Sequence, residues 1–302
     1  MQLGFAVLLT ALVVLPAARA IAAQNPSDQP AEQRGASATI RVMSFNDRNS
    51  HAHDGDNDWP HRRELFFDTI EKFNPDLLGM QEVLADQHDD VAKRMSGYAL
   101  VGVARDDGKR KGEWALIVYR KDRFKELDSG NFWLSETPDV PGSKSWDAAL
   151  TRICSWVRLK DTRTGREFVY GNTHYDHVGH VARANSSKLI MKTLPELSKG
   201  NPVILTGDFN TSEDDPPYKT ITHPTDTGMA HFTDSYREVH PDRSPDEASY
   251  HGFKGKTKGS RIDFILHTPE FSADSATIDR NKSPEGMYPS DHFAVTAVLQ
   301  WK

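Results

Sequence analysis

Cysteine is nearly missing: Cys154 stands alone in 302 residues. No internal disulfide can form, so the core must supply stability unaided. Cys154 lies inside the strand-like run Ile153–Leu159, the setting of an inert buried thiol rather than a nucleophile. Long apolar runs are also lacking. The stretch Leu3–Leu15, interrupted only by Thr10, is too short to span a bilayer comfortably. Nor does one sign of charge dominate: 37 Lys+Arg against 43 Asp+Glu leave a formal charge of −6. That excludes bulk attraction to nucleic acid or an anionic membrane, although a local cationic cleft remains compatible with it. No internal repeat is evident.

What is present begins with a leader. Ala18-Arg19-Ala20 follows the apolar stretch and offers small residues at the spacing a signal peptidase reads, with Ala20-Ile21-Ala22 as a second cleavage site. No Lys or Arg precedes the apolar stretch, so an uncleaved anchor stays open beside a cleaved signal. The expected organisation is a signal peptide over 1–22, a disordered linker of Gln, Pro, Ser, Ala and charge over 23–37, and one domain over 38–302. An exported protein, periplasmic or extracellular, is expected. The remaining length is ample for a large single core.

Within the domain, short apolar runs alternate with helical patterns. Strands are expected at Thr39–Phe45, Leu77–Met80, Tyr98–Val103, Trp114–Tyr119, Ile153–Leu159, Phe168–Asn172, Val203–Leu205, Phe264–Leu266 and Phe293–Leu299. Helices are expected from Pro60, with Asp58 as cap and Asn74-Pro75 as stop, from Asp86 to Met95, and over Val178–Lys199, kinked or split at Pro195. Phe132–Ser145 reads as an aromatic, Pro-rich rim and 214–258 as a long irregular segment suited to substrate contacts. The loop Arg105–Gly112 reads as mobile and cationic, either solvated or leaning over a phosphate. His51–Asp58 reads as a solvated polar loop rather than a metal site.

The chemistry concentrates where apolar runs stop. Leu205-Thr206-Gly207-Asp208-Phe209-Asn210 ends a short buried run with a carboxylate and a carboxamide two residues apart, on one side of an extended backbone. Such a pair can orient a water and hold an anionic oxygen. Alone it equally describes a strand-to-turn junction. Companion stretches weight the choice: Ser44-Phe45-Asn46, Gln81-Glu82, Asn172-Thr173-His174-Tyr175-Asp176, Arg261-Ile262-Asp263 and Ser290-Asp291-His292 each place polar groups at one end of an apolar run. Strand ends converging on one polar cleft account for all of them.

This ordered set, over roughly Ala38–Trp301, resembles the endonuclease/exonuclease/phosphatase superfamily. The text around it, including Trp133-Leu134-Ser135-Glu136-Thr137-Pro138 and Arg152-Ile153-Cys154, is similar to a bacterial secreted branch. The resemblance implies a four-layer α/β/β/α sandwich of two packed mixed β-sheets flanked by helices; pattern alone gives only mixed α and β. It also implies metal-assisted phosphoester hydrolysis. Glu82 would bind Mg²⁺ (Mn²⁺ or Ca²⁺ as substitutes), with Asn46 close by and Asp291 assisting the metal or His174. Asp208 would orient or deprotonate the attacking water, and Asn210 and His174 would hold phosphoryl oxygens. His292 would act on the phosphate or as general acid/base, its tautomer fixed by Asp263. Asp176, Arg152 and Tyr119 would face or support the substrate.

One departure narrows the reading. The DNA-repair branch carries a second acidic group two residues after the Asn of its first motif; Arg48 stands there, with Asp47 on the opposite strand face. The expected activity is therefore hydrolysis of an extracytoplasmic phosphoester, such as nucleic acid, a phospholipid headgroup or a glycan phosphate, by a monomer without an obligate protein partner. A secreted nuclease and a catalytically inactive phosphoester-binding module are the alternatives.

Overall fold

A computed structural model describes Met1 and residues 39–224 and 231–302. The expected linker and, Met1 apart, the expected leader lie outside the described residues. In chain order the elements are Thr39–Asn46 (β1), Trp59–Phe73 (α1), Leu77–Val83 (β2), Ala85–Arg94 (α2), Tyr98–Val101 (β3), Trp114–Arg120 (β4), Phe124–Trp133 (β5), Ile153–Asp161 (β6) and Glu167–His174 (β7). There follow His180–Ser198 (α3), Val203–Asp208 (β8), Pro216–Thr222 (α4), Thr233–Asp234 (β9), Ser235–Val239 (α5), Asp263–His267 (β10), Phe271–Asp279 (β11) and Ala294–Trp301 (β12). One sheet runs β11-β12-β1-β2-β4-β3 and the other β5-β6-β7-β8-β10-β9. Both are mixed, β1–β2 and β7–β8 being parallel pairs among antiparallel ones.

Alternation along the central strands builds the layers. In β1 and β2, Val42 and Leu77 enter the core between the sheets, while Met43 and Leu78 face outward to Phe66 and Ile70 of α1 and Val91 of α2. In β8 and β10, Ile204 and Ile265 point between the sheets, and Leu205 and Leu266 pack with Ile190 and Leu194 of α3 and Ile221 of α4. Runs apolar on both faces are what a strand covered on both sides requires. The α/β/β/α sandwich follows.

Near the site the inter-sheet layer turns polar. Asn172 of β7 donates from Nδ2 to the carbonyls of Met80 (2.8 Å) and Leu116 (3.0 Å), while its Oδ1 accepts from Gln81 Nε2 (2.8 Å) and Thr206 Oγ1 (3.0 Å). Gly79 is required beneath it, because a Cβ there would collide with Thr206 Oγ1 and Asn172 Oδ1. One carboxamide thus ties the two sheets together just below the strand ends. Asn172→Ala should cost ~2–4 kcal/mol, because it orphans several buried groups at once. A urea-unfolding free energy within ~0.5 kcal/mol of the parent's, at unchanged slope, would contradict this.

Several expectations need correction. Phe124–Trp133 and Phe271–Asp279 are strands that the pattern did not announce. They lie at sheet edges, where charged and polar residues are tolerated. The segment after Asp214 holds two short helices as well as loops. Helix α3 runs through Pro195 without being split. Asp58 does not cap α1 with its side chain but accepts the Asp54 N–H at 2.7 Å. Cys154 is buried, and burial pushes its thiol up. Among the described residues no helix is long and apolar enough to cross a membrane.

Candidate active site

Strand register assembles the site. His174 of β7 and Asp263 of β10 lie directly across from Asp208, so three candidate site residues form one row over β7, β8 and β10. From the facing sheet, Asn46 ends β1 opposite Gln81 of β2. Glu82 then occupies a bulge with φ of +67°, a strained conformation for a side-chain-bearing residue. Asn46 joins the two sheets: its Nδ2 donates to Glu82 Oε1 and to Asp208 Oδ2, each at 3.1 Å. Asn49 holds the other Glu82 oxygen through its backbone N–H (3.1 Å) and Nδ2 (3.0 Å).

His292 comes from the loop before β12. Its Nδ1 lies 2.9 Å from Asp263 Oδ2, and its Nε2 3.7 Å from Asp208 Oδ2. Ser290 Oγ anchors that loop by donating to the Asn46 carbonyl at 2.7 Å. His174 Nε2 lies 3.5 Å from the same Asp208 oxygen. Asn210 departs from the expected geometry. With φ of +46° it leaves the extended path, its N–H donates to Asp208 Oδ1 (2.9 Å), and its Nδ2 donates to the Tyr175 carbonyl (3.0 Å). It still borders the cleft, but by a turn rather than by strand alternation.

A cleft of about 320 Å³ opens over these groups, lined by Glu82, His174, Asp208, Asn210, Asp291 and His292, and also by Arg48, Glu113, Arg152 and Tyr250. Asn46 and Asp263 lie just beneath, fully buried. Asp176 does not reach the cleft wall. Its two oxygens accept the N–H groups of Leu150, Val178 and Gly179, and Arg152 Nε approaches one of them at 3.5 Å. Tyr119 is the misplaced expectation. It is buried in the inter-sheet core with its hydroxyl on Glu126, and it pairs with Leu77 at the far end of β2 from Glu82. The Arg105–Gly112 loop contributes none of the side chains lining the cleft. Arg110 is held by Asp89, and Arg105 is buried against Glu113. His51 and His53 are exposed, and Asp54 pairs with Arg48.

The electrostatics divide the groups. Burial opposes charge on His292, but Asp263 and Asp208 outweigh it and push its pKa well up, so it is held protonated. Burial, with Arg152 and Arg105 nearby, drives His174 well down, so it is neutral. Burial also works against the Glu82 carboxylate, yet His292 and the donors on Asn46 and Asn49 hold its pKa below the usual value. Asp208 is pushed up to about 7 by burial and by Asp263 across the ladder.

Negative groups thus crowd a buried place that His292, Arg48 and Arg152 border as cations. Such a donor set, hard oxygens at partial desolvation, fits a small divalent cation. Asp208, Asp263 and His292 bring ligand atoms within 4.8 Å of one another, a group that could hold a metal. In that group His292 Nδ1 is already engaged with Asp263. Glu82 and Asp291, both bordering the cleft, are the better-placed holders.

Arg48, Glu113 and Tyr250 were not anticipated as site residues. Glu113 immediately precedes the apolar run of β4 and carries the same signal that flags Gln81-Glu82. Tyr250, 52% exposed, lies with its ring centre 5.0 Å from that of His292; only the chain's return over the site reveals it.

Residues 43–292 match the sequence profile described as the endonuclease/exonuclease/phosphatase family. Solved structures with the same architecture include an endonuclease/exonuclease/phosphatase from Bacteroides vulgatus, 36% identical, with a TM-score of 0.80 over 87% of this chain and 99% of that one. A mannosyl-6-phosphatase from Bacteroides thetaiotaomicron is also 36% identical, with a TM-score of 0.78 over 87% of this chain and all (100%) of that one. Nocturnin of Drosophila melanogaster is 24% identical over 277 residues, covering 78% of this chain but only 41% of its own length. The chain therefore spans well under two thirds of that relative.

Proposed function

The chain belongs to the endonuclease/exonuclease/phosphatase family, and on that premise we propose that it is an exported, divalent-metal-dependent phosphoester hydrolase. The observation that carries the reading is the placement of Asp208 between His174 Nε2 (3.5 Å) and His292 Nε2 (3.7 Å), with His292 Nδ1 on Asp263 at 2.9 Å. Asp208 orients and deprotonates the attacking water. His292, kept protonated by Asp263, delivers its Nε2 proton to the departing oxygen. Neutral His174 donates to a non-bridging oxygen, and Asn210 holds another with the part of its carboxamide not committed to Tyr175. Glu82 and Asp291 would hold the ion, with Asn46 and Asn49 orienting Glu82. When bound, Mg²⁺ supplies positive charge to the phosphoryl group, and Mn²⁺ or Ca²⁺ are its substitutes. Support for export is the Leu3–Leu15 run followed by Ala18-Arg19-Ala20.

Chelation should abolish hydrolysis across a panel of phosphoesters, including DNA, RNA, sphingomyelin, inositol phosphates and sugar phosphates, and added Mg²⁺ should restore it. Glu82→Gln should raise the Mg²⁺ needed for half-maximal rate at least ~10-fold, a loss that even an outer-sphere partner commonly produces. Turnover indifferent to chelator would sink the metal role, and no turnover on any member would sink the enzyme. A rate falling steeply with added salt would redirect the substrate to nucleic acid.

A further inference from the structure

Two guanidinium groups border the cleft, and each is only partly spent. Arg48 occupies the turn after β1 with φ of +54°. Its Nε and Nη2 form a fork with the two oxygens of Asp54, at 2.8 and 3.0 Å, which fixes the guanidinium plane. Among the described residues its Nη1 makes no hydrogen bond, and Nε passes 3.8 Å from Asp291 Oδ2. Arg152 enters from the other sheet, immediately before β6. Its side chain is only 4% exposed, with Nη2 3.0 Å from His177 Nδ1 and Nε 3.5 Å from Asp176. Its Nη1 is buried without a partner. Both residues line the same cleft as Glu82, Asp208 and His292.

A phosphodiester presents two non-bridging oxygens and one negative charge. A terminal phosphate presents three such oxygens and nearly two charges near neutral pH. The proposed ion, His292, His174 and Asn210 already suffice for the diester. A further buried, under-neutralised guanidinium carries a desolvation cost that a more highly charged ligand offsets, and the planar fork of Arg suits phosphate oxygens.

Resting on the phosphoester-hydrolase reading above, we infer that Arg48 and Arg152 form a clamp, one arm from each sheet, that selects phosphomonoesters over phosphodiesters. The clamp grips the terminal phosphate through the free Nη1 of Arg48, while Arg152, whose Nη1 is buried and unpaired, adds its positive charge from the other wall of the cleft. Water deprotonated by Asp208 bonds to phosphorus, and the bond from phosphorus to the ester oxygen breaks. The alcohol, protonated by His292 Nε2, departs toward the exposed face of Tyr250 while inorganic phosphate stays in the clamp.

The test compares p-nitrophenyl phosphate with bis(p-nitrophenyl) phosphate on the Mg²⁺-loaded full chain. The parent protein should prefer the monoester. Arg48→Gln should lower the monoester-to-diester ratio of kcat/KM by about 10- to 100-fold, the range set by losing a charge-assisted hydrogen bond. Inhibition by inorganic phosphate should weaken by a similar factor, and Arg48→Lys, which keeps the charge without the fork, should fall between. Arg152→Gln should act in the same direction. Because Arg152 is buried, Arg48, whose side chain is 31% exposed, carries the test should the Arg152 variant unfold. Residual diester turnover reports that fold and metal loading survive. A parent enzyme that prefers the diester, or a ratio unmoved in Arg48→Gln, overturns the clamp and leaves the hydrolase standing. Inactivity on both substrates removes the hydrolase, and the clamp with it.

Discussion

Asp208→Asn should lower turnover at least ~100-fold on any phosphoester the protein hydrolyses, the usual loss when a positioned acid-base group is removed. The substitution keeps the shape of the side chain. The backbone ladder to His174 and Asp263 needs no change, and the Asn210 N–H still finds an oxygen. The new amide group then faces Asn46 Nδ2, however, which donates to the carboxylate in the parent, so a melting curve read beside the rate separates loss of charge from loss of fold. Stability should move the other way in the ion-free protein. Burial first, and Asp263 second, raise Asp208 from 3.8 to about 7. Between about pH 4 and 7 the folded state therefore holds a proton that the unfolded state has released, and stability falls as pH rises through that window. His292 contributes in the same sense further up. Burial opposes its charge, but Asp263 and Asp208 prevail, so its stabilisation is complete below 6.5 and is lost as pH rises through its higher folded value. In chelator, the parent should melt at progressively lower temperature from pH 4.5 to 8, and Asp208→Asn should flatten the lower part of that slope. Mg²⁺ should oppose the fall in the parent by offsetting the same negative charge. Near-normal turnover in Asp208→Asn would remove Asp208 from the chemistry.

Much of this site was legible because its residues obey period two. His174, Asp208 and Asp263 end apolar runs, and a parallel and an antiparallel ladder bring such ends side by side. Glu82 was readable as a run's end, although its bulge was not: nothing in Leu77–Val83 announces a left-handed residue. Asn210 was placed on the correct side for the wrong reason, since strand alternation had already stopped at Asp208. Tyr119 misled because an aromatic at the end of an apolar run looks the same at either end of a strand; only pairing direction tells which end meets the site. The edge strands β5 and β11 escaped notice because Lys125, Glu126 and Asp128 in one, and Ser272, Asp274 and Ser275 in the other, dilute the apolar signal. An edge has one neighbour and open solvent, so it can carry such residues. Arg48 and Arg152 lie more than a hundred positions apart and converge only once the two sheets are stacked.

His292→Ala should cost at least ~100-fold in turnover, and Asp263→Asn should follow it through the same imidazole. Asp263 lies just beneath the cleft, fully buried, with one oxygen on His292 Nδ1 and the other without a partner. Its effect on substrate is therefore exerted through His292. Replacing it with Asn offers Nδ1 either an amide donor or a weaker acceptor, which disturbs the tautomer and withdraws the charge that sustains the imidazolium. The limb of the pH–rate profile that requires protonated His292 should accordingly move to lower pH in Asp263→Asn. Removing both groups should be scarcely slower than His292→Ala alone, because a residue acting through another has nothing left to act on. Asp291→Asn supplies the contrast: as a proposed metal holder it should raise the Mg²⁺ requirement, and because its charge supports His292 less than that of Asp263 does, it should move that limb less than Asp263→Asn. Losses that multiplied in the double variant would mean that Asp263 and His292 serve separate steps, and the assignment of His292 as an Asp-supported proton donor would fail.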